Sequence, residues 1–195
     1  NPSNIKPMAS LQLQGVLAET SGLIFWDNML WTQNDNLDTN IYSLDTVYGG
    51  IVNTIPLKGV VNNDWEEISQ DDEYVYVGDF GNNYGNRKDL KILRISKSSI
   101  FDGSPEIDTI GFSYSDQTDF NPAEANDTDF DCEAFIVTGD SVYLFTKQWN
   151  SRGTGVYSLP KVPGLHIARL RSSYDVDGLI TGSVFIESKG IVVLS

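Results

Sequence analysis

The residues in this chain with the clearest chemical potential are short runs of acids that recur. Glu19-Thr20-Ser21-Gly22-Leu23, Asp64-Trp65-Glu66-Glu67-Ile68, Asp131-Cys132-Glu133-Ala134-Phe135 and Asp175-Val176-Asp177-Gly178-Leu179 share one pattern. An acid comes first, a polar or acidic residue stands two places on, and a large apolar residue closes the motif. In an extended chain, residues at i and i+2 project from the same face. Each motif therefore aims its paired oxygens in one direction. Clustered carboxylates repel unless they are neutralised, hydrogen-bonded or bound to a cation. Calcium takes six to eight oxygen ligands, so Asp64, Glu66, Asp79, Asp131 and Glu133 are the candidate calcium ligands. The competing expectation is that these carboxylates accept backbone N–H groups and staple neighbouring segments together.

The strands that would carry these motifs are legible from alternation. Helical periodicity is nearly absent. Runs such as Tyr74-Val75-Tyr76-Val77, Lys91-Ile92-Leu93-Arg94-Ile95 and Ser141-Val142-Tyr143-Leu144-Phe145 are short and rich in β-branched and aromatic residues, and turn residues separate them. The first three motifs continue alike. A strand starts at the apolar residue. A second follows (Met29–Thr32, Tyr74–Val77, Val142–Phe145) and ends in a polar cluster. A third (Ile41–Leu44, Ile92–Ile95, Val156–Leu159) and a fourth (Ile51–Leu57, Ile107–Tyr114, Leu165–Leu170) complete the unit. Four strands per repeat predict an all-β fold, a β-propeller with four-stranded antiparallel blades.

The motifs begin at residues 19, 64, 131 and 175, so the intervals are 45, 67 and 44 residues; the acidic loop from Ser115 to Phe130 accounts for the long one. Residues 1–195 read as a single propeller domain of about three and a half blades, an incomplete ring, and the chain is expected to be a fragment of a longer propeller.

In such a blade, the loop leading into the innermost strand and the loop after the second strand emerge on one rim. The second set supplies further candidate ligand-binding residues: Asn34, Asp35, Asn82, Asn83, Arg87, Lys147, Gln148 and Trp149. Trp65 and Trp149 flank that rim, positioned to stack on a sugar or peptide. Trp26 and Trp31 lie within strands and are expected to pack between blades.

Composition narrows the function. The chain carries 27 acidic against 13 basic side chains, a net charge of −14. That argues against nucleic acid and against anionic membrane surfaces, both of which need a basic face. One cysteine, Cys132, rules out an internal disulfide and a paired-cysteine metal site; with one histidine, His166, a nucleophile–histidine pair is disfavoured. Cys132 is expected to be buried and unreactive. No apolar run is long enough for a transmembrane helix.

The motifs Glu-x-Ser-Gly-Leu, Asp-Trp-Glu-Glu-Ile, Gly-Asp-Phe-Gly-Asn-Asn (residues 78–83), Asp-Cys-Glu-Ala-Phe and Gly-Leu-Ile-Thr-Gly (residues 178–182) resemble those of secreted bacterial propellers. They are similar to the SdiA-regulated and esterase-like phytase propeller families over residues 19 to about 194. The resemblance implies a secreted, cell-surface or periplasmic location and about six blades. Two functions follow as expectations. One is an exported binding module that recognises a protein, peptide or glycan on its acidic rim, with calcium as a support. The other is a calcium-dependent phosphoesterase of the phytase type, with Lys147, Arg87 or Arg152 neutralising phosphate.

Overall fold

The computed structural model describes residues 10–122, 124–186 and 190–194. Fourteen strands carry the fold, and its helices are two single 3-10 turns among the described residues. β1 (Ile24–Trp26), β2 (Met29–Gln33), β3 (Asn40–Leu44) and β4 (Ile51–Pro56) form a first four-stranded meander in sequential order. β5 (Trp65–Gln70), β6 (Tyr74–Asp79), β7 (Lys91–Ser96) and β8 (Ile107–Tyr114) form the second. β9 (Asp131–Thr138), β10 (Ser141–Lys147), β11 (Gly153–Pro160) and β12 (Gly164–Asp175) form the third. β13 (Gly182–Ile186) and β14 (Gly190–Leu194) make a hairpin. It is the start of the fourth segment, with Ser195 outside the described residues.

Strand pairing inside every meander is antiparallel, as the alternation predicts. The innermost strands β1, β5, β9 and β13 surround a cavity of about 320 Å³ whose lining includes Phe25, Ser69, Ile136 and Val184. The molecule is all-β, built as a propeller.

Two features depart from the expectation. In the second and third meanders the acidic motif forms the opening residues of the innermost strand rather than a loop before it. The reason is pairing: Trp65 faces Asp79 and Asp131 faces Lys147, so the ladder extends across the motif with a bulge beside it. The fourth motif behaves differently. Asp175 closes the long strand β12, Asp177 has a positive φ of 47°, and both are exposed.

The second departure joins two meanders. The first part of β12, Gly164–Ala168, pairs in parallel with Ile110–Tyr114 of β8, while its later part pairs with β11. The second and third meanders thus form one eight-stranded sheet, connected at their outer edges. The pairing occupies two edges that would otherwise present bare N–H and C=O groups. Gly111 permits the approach, since a Cβ there would stand 2.7 Å from Leu165 Cδ2.

The core is interleaved between meanders. Trp31 and Ile41 of the first pack with Trp65, Val75, Val77, Leu93 and Ile95 of the second. Trp26 and Trp31 pack with ring centroids 5.0 Å apart and planes tilted by 36° at this seam, as their strand positions predict. Trp65 is a correction: it is fully buried there and not free to stack on a ligand. Its neighbours in sequence point to the rim, and alternation turns its ring inward. Phe80, Phe112 and Tyr114 of the second meander pack with Phe135, Leu144 and Tyr157 of the third.

Hydrogen bonds secure the same seams. Asn62 Nδ2 donates to the carbonyls of Asn34 and Asp38, and Ser21 Oγ donates to the Glu66 carbonyl. Cys132 is fully buried with its thiol directed at the carbonyls of Ala134 and Phe145, and burial raises its pKa well above the ordinary thiol value.

Gly22, in the first motif, sits against the second: a Cβ would stand 2.4 Å from Glu67 Oε1 and 2.6 Å from the Ile68 amide nitrogen. One of those atoms is backbone and cannot swing away. Gly22→Ala is expected to destabilise by about 1–3 kcal/mol through overpacking. Gly15→Ala, where nothing lies within 4 Å, should stay within about 0.5 kcal/mol of the parent. Thermal unfolding of the two variants checks this. In native protein Cys132 should resist a thiol reagent that labels it rapidly once unfolded.

Candidate functional site: an acidic rim

The opening residues of β5 and β9 bring their acids to one rim, but not in equivalent environments. Asp131 is fully buried and accepts four hydrogen bonds. Oδ1 receives the amides of Asn82 (2.7 Å) and Cys132 (3.0 Å); Oδ2 receives Asn83 Nδ2 (3.0 Å) and the indole N–H of Trp149 (2.8 Å). This carboxylate staples the second meander to the third. Its oxygens meet four protein donors, the arrangement expected of a hydrogen-bonded staple.

Asp79 is also fully buried and is neutralised twice, by Arg87 Nη2 at 2.8 Å and Lys91 Nζ at 2.6 Å. Two protein cations thus stand at the oxygens of this expected calcium ligand. Glu133 pairs with Lys147 at 2.6 Å. Burial raises its pKa, and the Lys147 contact opposes that shift.

Asp64 and Glu66 are different. A Cβ on Gly81 would stand 2.2 Å from Asp64 Oδ2 and 2.4 Å from Glu66 Oε1, so both carboxyls crowd the same glycine. Among the described residues no hydrogen bond or ion pair reaches either carboxyl. Burial pushes Asp64 up to about 6, with Arg87 opposing and Asp131, Asp35 and Glu133 reinforcing. Burial pushes Glu66 up to about 9, reinforced by Glu133, Asp64, Asp131 and Asp35. Asp35 belongs to the same field: burial and then Glu19 raise its pKa. The first three segments thus converge on one acidic rim. Among the described residues no group of three or more Asp, Glu, His or Cys side chains is spaced to hold a metal ion.

The remaining candidates divide. Asn34 is buried and donates to the Val16 carbonyl and Asp38; Asn82 donates to the Phe130 carbonyl and accepts from the Arg87 amide. Arg87 is held by Asp79, Asp89 and the Gly81 carbonyl. The polar groups of these three expected ligand-binding residues meet protein partners nearby. Asp35, Asn83, Lys147, Gln148 and Trp149 remain partly exposed. Lys147 Nζ also sits 4.5 Å from the Trp149 ring centroid. The His166 ring makes a hydrogen bond with the Val162 carbonyl, and the residue lies opposite Phe112 in the β8–β12 ladder.

Sequence reasoning passed over Glu67. It is 6% exposed, lines a cavity of about 430 Å³ between the first meander and the hairpin, and burial pushes its pKa up to about 8. Its Oε1 and Oε2 accept from the amides of Ile68 and Ser183. The available signal was the second acid of Trp-Glu-Glu-Ile, the one motif with adjacent acids.

Fold and site together define a propeller with a carboxylate-rich rim that is only partly neutralised. No protein-family model matches the sequence, and no curated protein gives a significant match. Among solved structures, the chain is similar to RS223-β-xylosidase, with a TM-score of 0.51 at 12% identity, over 86% of this chain and 60% of that one. It is also similar to BamB from Moraxella catarrhalis (TM-score 0.43, 13% identity, 90% of this chain and 57% of that one). A third similar structure is the computationally designed Ika4 protein (TM-score 0.44, 13% identity, 97% of this chain and 98% of that one). The likeness to the xylosidase bears on the fold alone and supports the propeller arrangement. This chain spans somewhat over half the length of the xylosidase and BamB chains.

The raised acids set a direction for pH dependence. Folded Glu66 keeps a proton that the unfolded chain releases above its ordinary value of 4.5. Stability is therefore highest below that value and falls as pH rises towards about 9. Glu66→Gln removes the penalty. Its melting temperature at pH 8 should exceed the parent's by at least about 3 °C, the equivalent of about 1 kcal/mol for a chain of this size. At pH 4 the two should coincide. Asp131→Ala strands two buried backbone amides and two partly buried side-chain donors and should cost about 2–4 kcal/mol in denaturant unfolding.

Proposed function

We propose that this chain is an exported, non-catalytic binding module whose acidic rim takes a basic segment of a protein or peptide. One observation carries the reading: Glu66 is 8% exposed, has no protein partner among the described residues, and faces the charges of Glu133, Asp64, Asp131 and Asp35. A buried carboxyl in that position gains from any cation brought to it. A cation can take the place of the proton that Glu66 holds, which an uncharged glycan cannot do. Export, to the periplasm, the cell surface or the medium, rests on the resemblance to secreted bacterial propellers.

Two observations disfavour the phosphoesterase reading. Of the three cations proposed for phosphate, Arg87 and Lys147 already pair with Asp79, Asp89 and Glu133, which leaves the exposed Arg152 alone. The net charge of −14 opposes a highly anionic substrate. Calcium is a second reading, supported by the unpaired carboxyls of Asp64 and Glu66, which would supply two ligands and leave the rest of the shell to carbonyls and water.

Calorimetric titration with a capped lysine-rich peptide tests the main reading. Binding should weaken steeply as salt rises from about 0.05 M to about 0.5 M, because rim charges are screened. The Asp64→Asn/Glu66→Gln double variant should lose at least about tenfold in affinity, about 1.4 kcal/mol. A melting curve in calcium against chelator is the parallel arm. Bound calcium would stabilise by about 2.7 kcal/mol at a hundredfold excess over its dissociation constant. An unmoved midpoint together with measurable peptide binding selects the peptide reading. The absence of both rejects the rim as a cation site.

A further inference from the structure

We infer that Lys147 is a built-in stand-in for the ligand's cation, so that the rim recognises an alkylammonium ion, such as a lysine side chain, by displacing Lys147 from its seat. The inference rests on the basic-segment reading above and names the chemical group that the rim accepts.

The seat is well defined. Lys147, the last residue of β10, places Nζ 2.6 Å from Glu133 Oε1 and 4.5 Å from the centroid of the Trp149 ring. The indole cannot turn away easily, because its N–H is fixed 2.8 Å from Oδ2 of the fully buried Asp131. A carboxylate on one side and an aromatic face on the other is the chemistry that holds an ammonium group. The protein thus displays a cation already in place and shows which kind fits.

Lys147 does not complete the site. Glu66 is the neighbouring carboxyl, and Glu133 is the charge acting on it most strongly. Among the described residues Glu66 receives no cation, while Glu133 receives Lys147. One ammonium is shared across a rim that could use two. Lys147 is held by a single flexible stem, so its head can leave without moving β10. An incoming alkylammonium can then take the place between Glu133 and Trp149 with Glu66 alongside, and the Lys147 head moves to solvent. Substitution of one ammonium by another keeps the charge of the seat constant, so the exchange costs little electrostatically.

The test compares capped glycine-spaced peptides carrying lysine or ε-acetyl-lysine. Removing the internal competitor with Lys147→Met should tighten binding of the lysine peptide by about tenfold, about 1.4 kcal/mol. The acetylated peptide should gain nothing. Adding Glu133→Gln should abolish the gain. Equal or weaker binding by a folded Lys147→Met protein overturns the inference.

If Lys147→Met does not fold, the parent protein answers through the reactivity of Lys147. An amine-reactive ester should label Lys147 slowly in free protein. It should do so several-fold faster when the protein is saturated with a peptide of dimethyl-lysine, which keeps its charge and does not consume the ester. Unchanged labelling in the bound state overturns the inference. Binding by the parent protein without either effect leaves the basic-segment reading intact and removes only the role of Lys147. No binding by parent or variant removes both.

Discussion

Asp131 lies 49 residues from Asn82 in sequence and 2.7 Å from its amide nitrogen in space. A fully buried carboxylate survives only when its charge is answered, and here four donors answer it. Those donors come from the loop after β6, from the motif's own backbone and from the loop after β10. Satisfying one side chain therefore fixes the second meander against the third and orients Trp149. It also sets the strand on which Cys132 turns inward and Glu133 reaches the rim. The acid is structural, and the site is what it positions.

The other acids show three further answers to the same electrostatic problem. Asp79 is held between Arg87 and Lys91. Glu133 shares a contact with Lys147. Asp64 and Glu66 meet no partner among the described residues and respond by binding protons more tightly. The motif recurs, but the surrounding charges do not, and recurrence of type has not produced recurrence of role. Functional potential concentrates where the neutralisation is incomplete.

Backbone pairing sets limits of its own. The parallel ladder between β8 and β12 turns two adjacent meanders into one sheet, with Leu165 lying over Gly111. Gly22 and Gly81 play a comparable part near the axis, where a Cβ would collide with Glu67 and Ile68, or with Asp64 and Glu66. At both glycines a carboxyl of the neighbouring motif crowds the place a side chain would take. That close approach leaves no room for a larger residue.

Alternation and turn chemistry determine where the strands lie, though pairing extends some of them, as at β9 and β12. Tyr74–Val77 grew by two residues to Asp79, and Ile107–Tyr114 is the observed strand itself, because period-two patterning is a local property of a half-buried ribbon. The repeat of the acidic motif likewise announces a propeller and places acids from successive segments on one rim. What the sequence leaves open is which donor meets which acid. Asp64, Asp79 and Asp131 are the same residue type at or beside strand ends, yet one is unpaired among the described residues, one is doubly ion-paired and one is a staple. Trp65 reads as a rim aromatic until the seam with Trp31 closes over it. Neither the parallel pairing of β8 with β12 nor the burial of Glu67 leaves a periodic trace. Each depends on the distance between groups tens of residues apart, and only the packed tertiary structure sets those distances.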